Sequence, residues 1–136
     1  MIRVYEQRVT ILTSRKPHEK TINEELQWFG RSLGLFNLRD KDKSCFRVFI
    51  ELLKSAKRKK PLSSDELAFK LNLTRGTVVH HINKLIESGI VVPGHNRYIL
   101  RVENLRSLVD EIEKDIKRAC SDLKEVAEDI DRRLNL

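Results

Sequence analysis

Residues 74–88 contain a row of polar and basic side chains at the spacing of a helix. Arg75, Thr77 and Lys84 lie along a predicted helix, with two adjacent histidines between them. An arginine guanidinium matches the O6 and N7 atoms of guanine, and a threonine offers a hydroxyl and a methyl group to base edges. Lysine and histidine further along such a helix suit phosphate oxygens. The pattern is typical of a helix that enters a DNA groove.

The opposite side of the same helix is apolar, and it predicts which way the polar row points. Val78, Ile82 and Leu85 repeat at intervals of 4 and 3 residues, so they form one stripe that faces a core. Thr74 is the expected N-cap, and Gly89 is the expected left-handed residue that ends the helix. The residues of this helix predicted to contact DNA are Arg75, Gly76, Thr77, Val79, His80, His81 and Lys84.

A shorter helix is predicted immediately before it. Ser63 or Ser64 is the expected N-cap, with Glu66 as the capping-box partner, and residues 65–71 form the helix. Residues 72–73 then form a turn. Any amphipathic surface helix has a polar outer face, so the recognition helix is not identified by that face alone. Its combination with a short preceding helix, a tight turn and a glycine stop favours a helix-turn-helix.

A β-hairpin is predicted after the glycine. Residues 90–92 are β-branched, residues 93–96 are a turn cluster, and residues 97–101 alternate charged and apolar side chains. Such a wing lies along the DNA backbone or in the minor groove. The wing residues predicted to contact DNA are His95, Asn96 and Arg97. For Arg97 the alternative is a solvated hairpin charge, and for His81 it is a hydrogen bond to the backbone of a neighbouring helix.

Through these residues the chain resembles winged-helix transcription regulators of the ArsR/MarR type. The string at 74–85 resembles the ArsR-type recognition helix, in which a Ser/Thr cap precedes Thr-Val-Ser and then His-His-Leu. Val79 stands where that family favours serine, and Ile82 where it favours leucine. The ending Leu-Ile-Glu-Ser-Gly-Ile-Val at 85–91 also matches, and the resemblance covers residues 44–101. It implies a DNA-binding winged helix, and the charged composition and layout favour an archaeal member.

The sequence does not support metal sensing or catalysis. Metal-sensing ArsR proteins carry a cysteine pair on the helix before the recognition helix, and residues 65–73 contain no cysteine. Cys45 and Cys120 are interpreted as buried or half-buried thiols in different helices. A metal site joining Cys45 to His80 and His81 would need Cys45 to face outward, which its aromatic neighbours oppose. We expect no metal, no cofactor and no enzyme, since the chain has neither paired carboxylates nor a glycine-rich phosphate loop.

The length and the charge of the chain limit the kinds of partner that we expect. A chain of 136 residues with 40% hydrophobic residues supports one domain with appendages. No apolar run approaches the ~20 residues of a membrane span, and the first residues are too polar for a signal peptide, so we expect a cytoplasmic protein. The net charge is +7, and residues 1–61 hold 15 Lys/Arg against 7 Asp/Glu. Residues 102–136 hold 7 against 10, so the acidic C-terminal segment should point away from phosphates.

A long helix is predicted over residues 102–134. Its apolar residues repeat at alternating intervals of 4 and 3, which is a heptad seam for a homodimer. The predicted dimerisation residues are Leu105, Val109, Ile112, Ile116, Ala119, Leu123, Val126 and Ile130. Aspartates precede three of the seam positions, at 115, 122 and 129. An antiparallel pair, or packing on the basic N-terminal segment of the partner, is therefore favoured over a parallel pair.

The remaining segments flank the winged domain. Residues 44–58 should form its first helix, capped by Asp42 or Ser44, and residues 57–60 close it with four cations that suit the helix dipole or touch the DNA backbone. Its predicted core stripe is Phe46, Phe49, Ile50, Leu53 and Ala56, widened by Val48 and Leu52.

The N-terminal part is predicted to support the C-terminal helix. Residues 3–13 suggest a strand, residues 14–20 a basic loop, and Thr21 with Glu24 a capping box for a helix to about residue 33. The aromatic pair of that helix, at positions 28 and 29, should dock on the C-terminal helices. An alternative is an effector pocket built from Trp28, Phe29, Phe36 and the C-terminal helix; a small-molecule effector is otherwise not indicated.

Together these elements predict a mainly α fold with a small β-hairpin wing. Residues 1–40 are an N-terminal extension, residues 41–101 a winged helix-turn-helix DNA-binding domain, and residues 102–136 a long dimerisation helix. The predicted function is a homodimeric, sequence-specific regulator that binds double-stranded DNA through recognition helix 74–88 and wing 90–101. The alternative is a winged-helix protein-interaction module within a larger assembly. No membrane contact is expected.

Overall fold

The computed structural model of the chain describes residues 6–35 and 43–136, which form a mainly helical structure with one hairpin. The helices in chain order are α1 (Ile22–Ser32), α2 (Ser44–Lys57), α3 (Ser64–Leu71), α4 (Arg75–Glu87) and α5 (Leu105–Leu134). The hairpin consists of β1 (Val91–Pro93) and β2 (Tyr98–Leu100). Helices α2, α3 and α4 with the hairpin form the winged helix-turn-helix that the sequence predicts. None of the described helices is long and apolar enough to cross a membrane.

Two local caps start the helix-turn-helix pair. The Ser63 hydroxyl accepts from the backbone N–H of Glu66, and the Glu66 carboxylate accepts from the backbone N–H of Ser63, so the capping box is complete. The Thr74 hydroxyl accepts from the backbone N–H of Thr77 at 3.1 Å. Asn72 takes the left-handed conformation that the turn between the helices requires. Each cap is worth about 1 kcal/mol, so both helix starts are specified locally.

The core of the domain lies between α2 and α4. Val78, Ile82 and Leu85 are buried as predicted. Helix α2 is rotated from the predicted orientation, since Phe46, Ile50 and Leu53 of the expected stripe are only half-buried. Its buried residues are Ser44, Cys45, Val48, Phe49, Leu52, Ser55 and Ala56. Because α2 is apolar on most of its circumference, the neighbouring helices decide which side is covered.

The start of α2 also differs from the prediction. Its N-cap is Lys43, which has a left-handed backbone and makes no side-chain capping bond. Ser44 is the first helical residue and is buried, so it does not cap the helix. Asp42 lies outside the described residues. Burial of its apolar residues stabilises the helix.

The wing is a short antiparallel hairpin with one additional strand pairing. Val91 pairs with Leu100, and Pro93 pairs with Tyr98. Leu62, just before α3, forms an isolated bridge with Tyr98, with hydrogen bonds of 3.0 and 2.8 Å in the two directions. This bridge ties the outer end of the hairpin to the chain that enters α3, so the wing is held against the helix-turn-helix. No local pattern in the sequence indicated it.

The N-terminal segment is an irregular strap, and the predicted strand is absent from its described part. Over residues 6–13 the backbone forms no strand. The Arg8 N–H donates to the Glu87 carbonyl and the Leu12 N–H to the Ser32 carbonyl, both at 2.8 Å. The strap therefore uses the open carbonyls at the ends of α4 and α1, which replace the strand partner it would otherwise need. The first residues of the predicted strand and Phe36 lie outside the described residues.

Helix α5 divides into a packed half and an exposed half. It begins at Leu105, three residues later than predicted, where the Asn104 side chain accepts from the Ser107 N–H. Leu108, Ile112 and Asp115 are its buried residues, and two of these lie outside the predicted seam. From residue 117 onward, every residue except Asp129 is exposed. In this half Ile112 of the predicted seam is buried in the chain's own domain, and Leu105 and Ile116 pack against its core. Their part in a dimer stays a prediction.

A buried carboxylate, Asp115, joins α5 to the rest of the structure. Arg101, just after β2, donates two hydrogen bonds to it, at 2.5 and 3.1 Å. Gln7 donates at 2.8 Å and also reaches the carbonyl of Ser88 at the end of α4. Arg118 donates to Asp115 from the next turn of α5. The Arg101 hydrogen bonds, with those of Gln7 and Arg118, hold the pKa of the Asp115 carboxyl well below its ordinary value against the opposing effect of burial.

Two glycines make a matched stability test. We expect Gly89→Ala to lower the free energy of unfolding by about 2 kcal/mol, because Gly89 has φ +80° and an added methyl would overlap the Gln7 amide. Gly76→Ala should instead raise it by about 0.5 kcal/mol, since an added methyl would meet nothing within 4 Å beyond the adjacent residues and the backbone of its own helix, and alanine favours the helix. Denaturant titrations of both variants measure these changes. Equal effects of the two substitutions would contradict the assigned conformations.

Candidate nucleic-acid interface

The outer face of α4 is the centre of the candidate interface. Arg75, Gly76, His80 and Lys84 are exposed, while Val78, Ile82 and Leu85 face the core. Thr77, Val79 and His81 are half-buried. Because the N-terminal residues of a recognition helix reach furthest into the major groove, Arg75 and Gly76 hold the leading position.

Arg75 is loosely held in the structure. Its Nε lies 3.6 Å from the Asp65 carboxylate, and the two side chains are 72% and 78% exposed. An ion pair this open contributes at most ~1 kcal/mol, so a guanine or a phosphate can replace the carboxylate at small cost. Asp65 therefore orients the guanidinium near the start of α4, and the guanidinium can still exchange this carboxylate for another partner.

The two histidines of α4 have different surroundings. The His80 ring is exposed, whereas the His81 ring is half-buried, and their centroids lie 5.4 Å apart in an edge-on contact. His80 is consequently the histidine that can approach a ligand without rearrangement. The half-buried ring of His81 is less accessible to a ligand, and its contact with DNA stays a prediction.

The three wing residues predicted to contact DNA are all exposed, and one of them, Arg97, also contacts α3. His95 and Asn96 are exposed, and Asn96 has the positive φ of a tight turn. The Arg97 guanidinium donates to the Glu66 carboxylate at 2.6 Å and to the Pro61 carbonyl at 3.3 Å. The Arg97 side chain is nevertheless 55% exposed, and its contact with DNA stays a prediction. Arg97 fastens the wing to the start of α3.

The same contact changes Glu66. Burial opposes ionisation of this carboxylate, but the hydrogen bonds from Ser63 and Arg97 outweigh it and hold its pKa below the ordinary value. Glu66 thus serves the capping box and the wing at once. A DNA phosphate that binds Arg97 would compete with a carboxylate that stays ionised at neutral pH.

A basic edge borders this contact, and the sequence indicated only part of it. Lys57, Arg58, Lys59 and Lys60 are all exposed at the end of α2, as the predicted basic helix end requires. A cavity of about 170 Å³ brings the last of these together with Lys54, Lys70 and Glu66. Lys70 comes from a different helix, so only the packing of α3 on α2 reveals that it belongs to this edge.

The cysteines and histidines do not converge. Cys45 is buried at the start of α2, whereas Cys120 is exposed on α5, contrary to the prediction of a buried or half-buried thiol. Cys120 is exposed because this part of the helix has no neighbour. Within residues 6–35 and 43–136, no three histidine, cysteine or carboxylate side chains are grouped as metal ligands.

Comparison with known protein families decides the type of domain. Residues 50–92 match the model of the family described as bacterial regulatory protein, arsR family. The chain carries an ArsR-family regulator domain. The match runs from the middle of α2 through α3 and α4 to the second residue of β1, so it contains the whole helix-turn-helix. Neither a search of curated proteins nor a search of solved structures found a match to this chain.

The ArsR-type domain is that of a DNA-binding transcription regulator. The matched segment leaves out α1 and most of the wing, as well as all of α5. The family match therefore says nothing about the contributions of α1, the second strand of the wing and α5.

Proposed function

We propose that this protein is a homodimeric regulator whose ArsR-type domain binds a specific sequence of double-stranded DNA. Helix α4 enters the major groove, and the tip of the wing lies on the backbone or the adjacent minor groove. The observation that carries the proposal is the exposed, loosely paired Arg75 at the leading end of α4. Around it, Thr77 and His80 offer further hydrogen-bonding groups, and Lys84 lies about two and a half turns beyond Arg75.

The proposed dimer uses the exposed half of α5. Leu123, Val126, Ile130 and Leu134 repeat at intervals of 3 and 4 and are 46% to 69% exposed. A stripe of large apolar side chains on a helix without a neighbour is the surface that a coiled-coil partner covers. Of the predicted seam, this leaves Ala119, Leu123, Val126 and Ile130 as proposed dimer residues. Leu105, Val109, Ile112 and Ile116 instead lie on the half of α5 that packs on its own domain.

Two of the three aspartates that precede seam positions form ion pairs within the chain, which bears on the orientation of the two helices. Asp115 is bound by Arg101 and Arg118, and Asp129 pairs with Arg132 and Arg133 within α5. These intramolecular cations reduce the repulsion that was expected to disfavour a parallel pair. The proposal therefore specifies the stripe and leaves both orientations open.

The basic edge at the end of α2 supplies phosphate contacts in this proposal. Lys57 to Lys60 and Lys70 are exposed near the contact between the wing and α3. Contacts to phosphates by lysine and arginine add affinity that is independent of sequence and falls with salt. His95 and Asn96 at the wing tip extend the same surface. The acidic helix α5 stays away from the DNA.

The proposal is tested by selecting binding sites from a random duplex pool at two salt concentrations. We expect an inverted repeat whose half-sites lie about one helical turn apart, because two copies of α4 related by a twofold axis would enter successive major grooves. Enrichment of a single half-site would contradict the dimer while keeping the specific DNA contact. If no motif is enriched and binding disappears at modest salt, sequence-specific recognition is wrong.

Arg75→Ala separates base recognition from phosphate attraction. We expect it to weaken binding to the selected site by about 1–3 kcal/mol and to change binding to random duplex little, because a bidentate guanine contact is sequence-specific. Lys84→Ala should weaken both by a similar, smaller amount, since a phosphate contact does not depend on sequence. Fluorescence anisotropy with both duplexes measures the difference. Equal losses for Arg75→Ala on the two duplexes would show that Arg75 contacts only phosphate.

One observation favours a second candidate function, a protein-interaction module. Phe69 on α3 is 90% exposed, although a phenylalanine is costly to leave in water. It lies on the helix before the recognition helix, where a protein partner of the DNA-bound regulator could cover it. A Phe69→Ala variant that keeps DNA affinity but loses regulation in cells would support this reading. Loss of DNA affinity would place Phe69 in the DNA interface instead.

A further inference from the structure

Two adjoining cavities lie between α1 and α5, outside the ArsR-type domain. Their volumes are about 490 and 550 Å³, and both are lined by Trp28, Phe29 and Val109. We refer to the two together as the α1–α5 groove. The remaining aliphatic lining includes Leu26 and Leu105 in the first cavity and Leu33 and Ile112 in the second. Volumes of this size are those of sites that hold small organic molecules.

Two polar atoms in the groove lack a hydrogen-bond partner. The Trp28 Nε1 donor and the Ser32 hydroxyl are both buried without one among the described residues. A buried donor that is left unsatisfied costs about 1–3 kcal/mol, so such groups are uncommon unless a ligand or water completes them. Both residues line the second cavity. The groove therefore combines an apolar wall with two polar groups whose hydrogen bonds are incomplete in this conformation.

The charges at the mouth of the groove are mostly positive. Lys16, Lys20 and Arg106 line the first cavity, with Glu25 as its one acidic residue. The second cavity has one charge of each sign, Glu113 and Lys117. The first cavity thus combines an aromatic wall with a cationic rim, which is complementary to a molecule that has an apolar body and an anionic head.

We propose that the α1–α5 groove binds an amphipathic organic anion, such as an aromatic or aliphatic carboxylate or sulfonate. The apolar body packs on Trp28, Phe29 and Val109, and the anionic group lies near Lys16, Lys20 and Arg106. The floor of the groove is the packed half of α5. A molecule bound in the groove would therefore contact the half of α5 that contains Asp115. Gln7 links Asp115 to the end of α4 through hydrogen bonds to both.

A second copy of the chain fits the groove less well than a small anion. The exposed stripe of α5 consists of leucine, isoleucine and valine, which offer no acceptor to the Trp28 N–H. Burial against such a stripe would leave this donor unsatisfied. The stripe also begins beyond residue 117, where the lining of the groove ends. The dimer surface proposed above and the groove are thus separate parts of α5.

The test uses the fluorescence of Trp28, the single tryptophan of the chain. The full-length protein is titrated with 1-anilinonaphthalene-8-sulfonate and with its uncharged analogue N-phenyl-1-naphthylamine, which share an apolar frame. We expect saturable binding of the sulfonate at one site per chain, with energy transfer from Trp28, and about tenfold weaker binding of the uncharged probe. In Lys16→Gln/Lys20→Gln the affinity for the sulfonate should fall several-fold, while that for the uncharged probe stays the same.

A matched variant and a concentration series complete the test. Lys57→Gln/Lys59→Gln removes the same charge from the end of α2 and should leave sulfonate binding unchanged. Circular dichroism of each variant establishes that it is folded. Equal affinity of the two probes, or an equal loss in both double variants, would overturn the proposal. It would also be overturned if sulfonate binding fell as rising protein concentration drove dimer formation, since a second copy would then occupy the groove.

Discussion

Leu123→Asp is expected to yield a monomer whose affinity for an inverted-repeat duplex is about 10²–10⁴-fold lower than that of the parent chain. Leu123 is 69% exposed at the start of the apolar stripe of α5, and it contributes nothing to the core of its own domain. A charge there would be buried in the proposed dimer without a partner, which opposes association. Once the copies separate, the second half-site no longer benefits from a high effective concentration. Analytical ultracentrifugation and anisotropy measure the two effects.

Ser121→Asp is the matched control for this variant. It places the same new charge two residues away on the opposite side of α5, where residue 121 is also exposed. It should leave both the dimer and the affinity for the duplex intact. If Leu123→Asp remained dimeric, the exposed stripe would not be the dimer surface. If it became monomeric yet kept full affinity for the inverted repeat, DNA binding would not depend on the dimer.

Asp115→Asn is expected to lower the free energy of unfolding by about 3 kcal/mol, the cost of breaking a buried ion pair from one side. The Asp115 side chain is 4% exposed and accepts hydrogen bonds from Gln7, Arg101 and Arg118. An amide cannot neutralise Arg101, although Glu111 remains as a carboxylate partner. Urea titration measures the change. The exposed Asp122→Asn, on the same helix, should change stability by less than about 0.5 kcal/mol.

The pH dependence of this effect has a definite sign. Since the hydrogen bonds from Arg101 lower the folded-state pKa of Asp115 from its ordinary value of 3.8, the carboxylate stabilises the fold fully above about pH 5. That contribution is lost as the pH falls below 4 toward the folded-state pKa. The stability difference between the parent chain and Asp115→Asn should therefore be constant at neutral pH and shrink in acid. A difference that stayed the same down to pH 2 would show that Asp115 acts through packing alone.

The helix-turn-helix was predicted in detail because its signals are local. The capping box of Ser63 and Glu66 and the cap at Thr74 each join residues three positions apart. The stripe of Val78, Ile82 and Leu85 lies on a helix with one apolar side, so only one burial direction is available to it. The residues proposed to contact DNA on α4 follow directly from that direction.

Helix α2 and the first half of α5 show where a periodic pattern is insufficient. Helix α2 is apolar over most of its circumference, and its covered side depends on how α3, α4 and the hairpin pack around it. In α5, the heptad pattern predicted a single seam, but Leu108 and Asp115 are buried in place of Val109. Burial on the chain's own domain follows the shape of that domain, and it need not coincide with the longest apolar repeat.

The sequence alone determined the winged helix-turn-helix, the polar face of α4 and the presence of a long amphipathic helix after the wing. These follow from caps, turn residues and helical periodicity, which act over three to seven residues. The tertiary structure decided the rest: the contact of Arg97 with Glu66, the network at Asp115 that reaches Gln7, and the α1–α5 groove. Each of these joins residues 31 to 108 positions apart or lies between separate helices, and the free energy of such a contact depends on which surfaces the fold brings together.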